Sequence, residues 1–343
     1  MELLKVRLPR SVTIGKSIAG KIGEVCDEIG YKGAVIVFTD ENVLEIAGKN
    51  ALESLNNWGY KTEYLLLPKK VEMSDIKAVS SDFIIGIGSG KVIDFAKMTA
   101  KVSKRPFMSF PTAVSHDGIS SDRAVIGNGY SVPAVGPDSI FIDTDIIIKS
   151  PYRLTASGCG DVIAKISAIE DWRLSHNVTG EEISEYLATA SEAGAKCIID
   201  CAKSIRKLEE DGIRNLLEAL ILSGISMSMA GSSRPASGSE HLFSHALKTL
   251  YPQKASLHGE ECAVGAIMCS YLQGKDWKKV VNALKLIGLP TTADELGIPK
   301  NIIIDALVKA KEVRYDRFTI LNHKNVNKET AKAVAEETGV VSR

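Results

Sequence analysis

The sequence predicts an α/β protein of two domains: an N-terminal Rossmann-like parallel-sheet domain over residues 1–150, then an all-helical domain over residues 151–343. Three observations carry this. Short apolar, β-rich runs alternate with helical segments in the first half. Those runs are almost continuously apolar, as strands covered on both faces must be. Beyond Tyr152 strand signals nearly vanish and long amphipathic segments replace them. In order, Val35-Ile36-Val37-Phe38 reads as a strand ending at Thr39-Asp40, followed by a helix-like segment through about Leu55. Thr62 to Leu67 reads as a strand and Ser74 to Val79 as a short helix. Phe83-Ile84-Ile85 is a strand running into Gly86-Ile87-Gly88-Ser89-Gly90, and a helix resumes from Lys91 to Lys101. Phe107–Phe110 and Ile140–Ile142 are further strands. The helical segments of the second half are Asp161–Leu174, Glu181–Leu208, Ile213–Ala230, Ser239–Leu250, Glu260–Leu272 and Trp277–Ile287. Lys149-Ser150-Pro151 marks the boundary, because proline stops regular structure. In two-domain enzymes of this class the active site is expected in the cleft between domains.

A chain of 343 residues, 45% apolar and 24% charged, is long enough to bury two cores. Basic and acidic residues balance at 42 each, so no net field draws in nucleic acid or an anionic membrane. The N-terminal MELLKVRLPR lacks the apolar core of a signal peptide. No run reaches the ~18 apolar residues of a membrane span. A cytoplasmic protein is expected. The six cysteines form no C-x-x-C pair and no disulfide framework. Cys197 and Cys201 share one helix face and are expected to be buried thiols, while Cys159 lies two residues before Asp161.

The glycine run follows a strand and opens a helix, where backbone N–H groups approach a phosphate and the helix end adds partial positive charge. It is neither of the two common phosphate loops. Lys91 stands where the dinucleotide fingerprint needs its third glycine, and Ile85 and Val92 break the P-loop pattern. Asp40, at the end of the 35–38 strand, stands where an acid could bind an adenosine ribose, or equally where it would cap a helix. Phe110 to Asp122 follows another strand and concentrates hydroxyls with two acids, more than a plain turn needs.

Four of the six histidines are His116, His241, His245 and His258. His241 and His245 are spaced i, i+4 on one helix face, and His258-Gly259-Glu260 begins the next helical segment. Imidazole is a common zinc ligand. The zinc-protease pattern does not fit, since Leu242 follows the first histidine. The cluster by itself leaves a metal site and ordinary packing both open.

Together these stretches resemble the metal-dependent dehydrogenase superfamily of glycerol dehydrogenase, iron-containing alcohol dehydrogenases and dehydroquinate synthase, over nearly the whole chain. Phe110-Pro111-Thr112-Ala113-Val114-Ser115-His116-Asp117-Gly118 and Ser233-Arg234-Pro235-Ala236-Ser237-Gly238-Ser239-Glu240-His241 look like its sn-glycerol-1-phosphate dehydrogenase branch. The resemblance implies one divalent metal, with zinc the expected ion, on Asp161, His241 and His258. It implies NAD or NADP bound by Gly88, Gly90, Lys91, Val92, Ile93, Asp94, Thr112, Ala113, Val114, Ser115 and Ser121, with Asp40 added from its position. Asp117 and His245 match substrate contacts, and Asp161 would also lie against substrate; these three are the catalytic candidates. The expected reaction interconverts dihydroxyacetone phosphate and sn-glycerol 1-phosphate, toward archaeal-type lipid backbones, with the oxidation of unphosphorylated polyols as the alternative. His245 would bind substrate or pass a proton. Arg234 is the first candidate for the substrate phosphate, set against a structural ion pair at the same residue; Lys149 and Arg153 stand behind it. The expected partner is a small triose phosphate, not nucleic acid or membrane, and a homo-oligomer is expected.

Overall fold

The computed structural model describes residues 6–127, 131–253 and 256–342. The chain divides into two compact units, Met1–Thr155 and Ala156–Arg343.

In the first unit, β1 (Ser11–Gly15), β2 (Ala34–Thr39), β3 (Lys61–Leu66), β4 (Phe83–Gly88), β5 (Phe107–Pro111) and β8 (Ser139–Asp143) form one sheet. Their order is β1-β8-β5-β4-β2-β3, and every neighbouring pair is parallel. The short strands β6 (Arg123–Ala124) and β7 (Val132–Pro133) pair antiparallel apart from it. The central strands are buried on both faces because helices cover each. Phe83, Ile85 and Ile87 pack on one side with Ile22, Val25, Ala51 and Leu55 of the helices Ile22–Glu28 and Lys49–Asn57. Ile84, one residue out of phase, packs on the other side with Val92, Ile93, Ala96 and Ala100 of the helix Gly90–Ser103. β1 had no counterpart in the sequence reading. It pairs only with β8, and its Val12 and Ile14 are exposed, so it lacks the apolar continuity that betrays a central strand. Ser74–Val79 is not a helix. A 3-10 turn at Met73–Asp75 is closed by the Asp75 carboxylate accepting from the Glu72 N–H at 2.8 Å, after which Ile76 and Val79 pack irregular chain onto the core.

From β2 the chain steps outward to β3, then returns to β4 on β2's other side and proceeds to β5. The β2/β4 seam is therefore the topological switch point, where ligands of such sheets bind beyond the strands' carboxyl ends. Asp40 and the glycine run follow these two strands.

The second unit has no strand among its described residues. Its long helix, Tyr152–Thr179, exceeds the expected segment at both ends. The expected Glu181–Leu208 segment is two helices, Glu185–Asp200 and Ala202–Arg206, broken at Cys201. Cys197 is exposed and Cys201 half-buried, against the expectation of two buried thiols, because they sit at the end of the helix rather than on its packed face. The helices Glu210–Ala230, Ser239–Leu250, His258–Leu272, Trp277–Ile287, Lys300–Val313 and Lys328–Glu337 follow. Among the described residues only Glu210–Ala230 is long and apolar enough to cross a membrane, and half of its apolar window is buried within the protein. A Rossmann-like parallel sheet followed by helices is the fold class the sequence predicts.

Candidate metal centre and cofactor loops

Two glycines bring the helices that carry Asp161 and His258 together in the second unit. A Cβ on Gly259 would meet the Ser157 carbonyl oxygen at 1.8 Å, and one on Gly160 would meet the Gly259 oxygen at 2.3 Å. This backbone-to-backbone crossing sets Asp161, the residue after Gly160, against His258, the residue before Gly259. Asp161 Oδ1 lies 3.3 Å from His241 Nε2 and 3.9 Å from His258 Nε2. The two imidazoles approach edge to face, with centroids 4.9 Å apart.

An imidazole that offers Nε2 to an ion keeps its proton on Nδ1, and an acceptor there holds the ring in place. Both rings have one. His241 Nδ1 is 2.7 Å from Glu240 Oε1, and His258 Nδ1 is 3.1 Å from Ser244 Oγ, whose hydroxyl donates to Glu261 Oε2 at 2.6 Å. Both carboxylates are fully buried and held in turn: Glu240 accepts from the Gly238 N–H and from Ser167, Glu261 from Ser256. Glu260 accepts from the Leu257 N–H at 2.8 Å and so caps the helix that His258 begins. Asp161 Oδ2 is contacted by the buried Lys165 ammonium at 3.3 Å, one turn along the same helix, which leaves Oδ1 to face the histidines. Cys262 Sγ lies 3.6 and 3.7 Å from Nε2 and Nδ1 of His258, and the sulfur and ring nitrogens of His241 and His258 fall within 4.8 Å of one another.

The electrostatics suit a cation. Burial opposes charge on Asp161, yet Lys165 and then His241 hold its carboxyl well below the usual range. Burial also opposes charge on His241, but Cys262, Asp161 and Glu240 carry it well above the ordinary imidazole value. Burial and the neighbouring His241 push His258 well below that value. Without an ion the site thus holds an ionised carboxylate, a neutral His258 and, on His241, a proton that a metal cation would displace. One carboxylate oxygen with two imidazole nitrogens is a donor set that zinc and iron both accept, leaving a position for an outside ligand. The residues fit the metal.

Asp171, farther along the helix that carries Asp161, seats the His241 helix. It accepts from the N–H groups of Ser239 at 2.6 Å and Ile320 at 2.7 Å, and from Gln273 Nε2 at 3.1 Å. Burial, with Glu240 adding repulsion, raises this carboxyl to about 6. His245 lies one turn beyond His241, its ring 6.3 Å from that of His258. Burial, then Lys248, His241, Arg317 and Arg314, push it down to about 3. It is a neutral imidazole at pH 7, suited to hydrogen-bond a substrate rather than to store a proton.

Arg234 is engaged in the structural ion pair. Only 2% exposed, it grips Glu181 through Nε at 2.7 Å and through its second terminal nitrogen, and donates to the Phe318 carbonyl at 3.1 Å and Ser175 Oγ at 3.2 Å. Those bonds occupy the guanidinium edge that a phosphate would need.

In the first unit the two polar loops touch. The Thr112 N–H donates to the Gly88 carbonyl at 3.0 Å, and a Cβ on Gly90 would strike His116 Nε2 at 2.5 Å. His116 Nδ1 accepts from the Gly118 N–H at 2.9 Å, opening the short 3-10 helix that Asp117 begins. The N–H groups of Val92 and Ile93 bond to the Ser89 carbonyl, and the side chains of Val92 and Ile93 enter the core. Asp94 is buried and accepts from the Val125 N–H at 2.9 Å. Its carboxylate is therefore structural, and the N–H groups of Gly90 and Lys91 remain as the helix-opening donors for a phosphate. Lys91 Nζ donates to the Pro68 carbonyl at 2.9 Å. Ala113, Val114, Thr112 and Ser121 are buried; Ser115 and Asp117 are half-buried. Asp40 caps the helix after β2, accepting from the Val43 N–H at 3.0 Å through one oxygen.

The sequence reading missed Glu240, Ser244, Glu261, Lys165, Cys262 and Lys97. Lys97, fully buried, donates to the carbonyls of Gly118 and Arg123 (2.7 Å for the latter) and contacts Asp94 at 3.4 Å, pinning the polar loop to the glycine-loop helix. Glu240 beside His241, and Glu261 three residues after His258, were visible as acids near histidines; Lys97 gave no local signal.

The model of the iron-containing alcohol dehydrogenase family matches residues 13–151. A Methanosarcina barkeri protein named glycerol-1-phosphate dehydrogenase, NAD(P)+, is 42% identical over 98% of this chain and 97% of its own length. A Methanothermobacter thermautotrophicus protein of the same name is 42% identical over 99% and 100%. Among solved structures, a glycerol dehydrogenase from Schizosaccharomyces pombe aligns with TM-score 0.77 at 22% identity, covering 100% of this chain and 95% of that one, which shows the shared fold.

Proposed function

Because the chain belongs to the glycerol-1-phosphate dehydrogenase family, we propose that it interconverts dihydroxyacetone phosphate and sn-glycerol 1-phosphate with NAD(P)H, toward archaeal-type glycerophospholipid backbones. The observation that carries this reading is the convergence of Asp161 Oδ1, His241 Nε2 and His258 Nε2, each histidine anchored through Nδ1. Asp161, His241 and His258 would hold a zinc ion, which would supply Lewis acidity for the substrate's C2 oxygen, and a bound dinucleotide would supply the hydride. Asp161, with Oδ2 held by Lys165, presents Oδ1 in one direction. His245, neutral, accepts or donates a hydrogen bond to a substrate hydroxyl and passes a proton only by exchanging one ring proton for another. Lys248 follows His245 by three residues on the same helix, and its charge bears on both His245 and His258. The engagement of Arg234 with Glu181 argues against it as the partner of the substrate phosphate. The first unit binds the dinucleotide at the Gly88–Lys91 turn and the Thr112–Ser115 loop, and Asp117 orients the nicotinamide end or a substrate hydroxyl.

The test is activity of zinc-reconstituted protein on dihydroxyacetone phosphate with NADH and with NADPH, with the chirality of the product determined. The expected product is sn-glycerol 1-phosphate, formed at a rate that collapses on chelation and returns with zinc. Formation of the opposite enantiomer, or equal turnover of unphosphorylated dihydroxyacetone, would refute the assignment.

A further inference from the structure

We propose that Lys69 and Lys70 form the subsite for the 2′-phosphate of a phosphorylated dinucleotide, so that this turn lets the enzyme use NADPH beside NADH. The inference rests on the cofactor reading above and adds the part that tells the two dinucleotides apart. In sheets of this kind the pyrophosphate sits on the glycine turn, and the adenosine ribose lies at the carboxyl end of the adjacent strand. Here the glycine turn ends β4, and β2 is its parallel neighbour, with Phe38 beside Gly86. Asp40 follows β2. One of its oxygens accepts from the Val43 N–H, and the other has no partner among the described residues, which suits a ribose 2′-hydroxyl. A 2′-phosphate at the same place is repelled by that carboxylate and needs cations beside it.

Hydrogen bonds and packing bring Lys69 and Lys70 there. β3 runs parallel to β2 with Leu66 beside Thr39, and the Leu67 N–H continues the ladder to the Thr39 carbonyl at 2.8 Å. By the same register Leu67 falls beside Asp40. Pro68 then stops the strand, since it has no N–H to extend the ladder. The Lys91 ammonium donates to the Pro68 carbonyl at 2.9 Å and ties the turn to the start of the glycine-loop helix. Leu67 and Val71 are both buried in the cluster that holds Val92 and Ile93 of that helix, so the turn is pinned at each end. The Cα of Lys69 lies at most ~7 Å from that of Leu67, whose strand is about 4.8 Å from β2. A flexible four-carbon stem carries each ammonium across the remaining gap. Both lysines are exposed, and among the described residues neither has a hydrogen-bond or ion-pair partner. Two cations are thus held beside the ribose position, where NADH offers them nothing and NADPH offers a dianion.

Steady-state kinetics of the metal-loaded enzyme with each dinucleotide tests this. The double variant Lys69→Ala/Lys70→Ala should raise KM for NADPH roughly 10- to 100-fold, the range for lost hydrogen bonds to a charged group, with KM for NADH and both kcat values within about twofold. Inhibition by 2′-AMP should weaken with KM for NADPH, and inhibition by 5′-AMP should not. Lys61→Ala, at the amino end of β3, is the control and should leave every constant unchanged. A double variant that raises both KM values equally overturns the proposal, because the lysines then act on the pyrophosphate. So does a double variant that moves neither, or a wild-type protein that uses NADH and not NADPH. The cofactor reading fails separately, if the wild-type protein reduces dihydroxyacetone phosphate with neither dinucleotide.

Discussion

Gly259→Ala tests whether the glycine crossing builds the metal centre. The added Cβ would lie 1.8 Å from the Ser157 carbonyl oxygen, 2.6 Å from its carbonyl carbon and 2.8 Å from its Oγ. Ordinary carbon contacts begin near 3.5 Å, so relief requires a movement of roughly 1.5 Å. Two of the three obstructing atoms are backbone, which no rotamer change removes. The helix itself must move. Overpacking costs about 1–3 kcal/mol, and without a side chain to yield we expect the upper end, ~3 kcal/mol. In a unit of this size that lowers the melting temperature by roughly 6–12 °C. His258 immediately precedes Gly259, so the same displacement widens a His258–Asp161 gap that is already 3.9 Å. Zinc affinity should fall by at least roughly tenfold. Calorimetry of the metal-free protein and chelator competition measure the two effects. Gly20→Ala, with nothing within 4 Å of its Cβ, is the control and should change stability by less than about 0.5 kcal/mol. A Gly259→Ala protein with wild-type melting and wild-type zinc affinity would refute the crossing as the organiser of the site.

Arg234→Ala removes the partner of Glu181, whose side chain is 32% exposed, and should cost about 2–3 kcal/mol in urea unfolding while leaving KM for dihydroxyacetone phosphate unchanged; a large rise in that KM at unchanged stability would return the phosphate role to Arg234. Lys97→Met leaves the Gly118 and Arg123 carbonyls and Asp94 without their buried donor, so a loss of ~3 kcal/mol and a raised KM for the dinucleotide are expected at unchanged zinc content. An unaltered KM would free the polar loop of Lys97's control. Asp171 has its carboxyl raised from 3.8 to about 6, so the folded protein binds this proton more tightly than the unfolded chain. Its contribution to stability is fully present below about pH 4 and is lost as pH rises through about 6, a swing on the order of 3 kcal/mol. Asp171→Asn keeps the bulk but lacks that proton, so its penalty in denaturant unfolding should be larger at pH 4.5 than at pH 7.5; a penalty independent of pH would contradict the raised value.

The legibility of the fold followed from burial. β4 and β5 are covered on both faces, their apolar runs are continuous, and the sequence located them. β1 is an edge strand held by one neighbour, with alternate residues in solvent, and its five residues carry too little pattern to be seen. The Cys197 and Cys201 expectation failed for a related reason: helical periodicity shows which residues share a face, not whether anything covers that face near a helix end.

The sequence determined the chemistry available to the site: three histidines in a short stretch, a glycine run after a buried strand, and motifs of a dehydrogenase family that point to Asp161. Local spacing favours i, i+4 neighbours, so on its own it pairs His241 with His245. The family motifs named His258 instead, and the tertiary structure gives the reason it faces Asp161: the contact of Gly160 and Gly259 joins two helices about a hundred residues apart in the chain, a relation no local pattern records. The tertiary structure decided that Arg234 is held by Glu181, and that Glu240, Ser244 and Glu261 fix the ring orientations. Those roles depend on which buried polar groups meet, and a buried donor takes the nearest acceptor in space rather than in sequence.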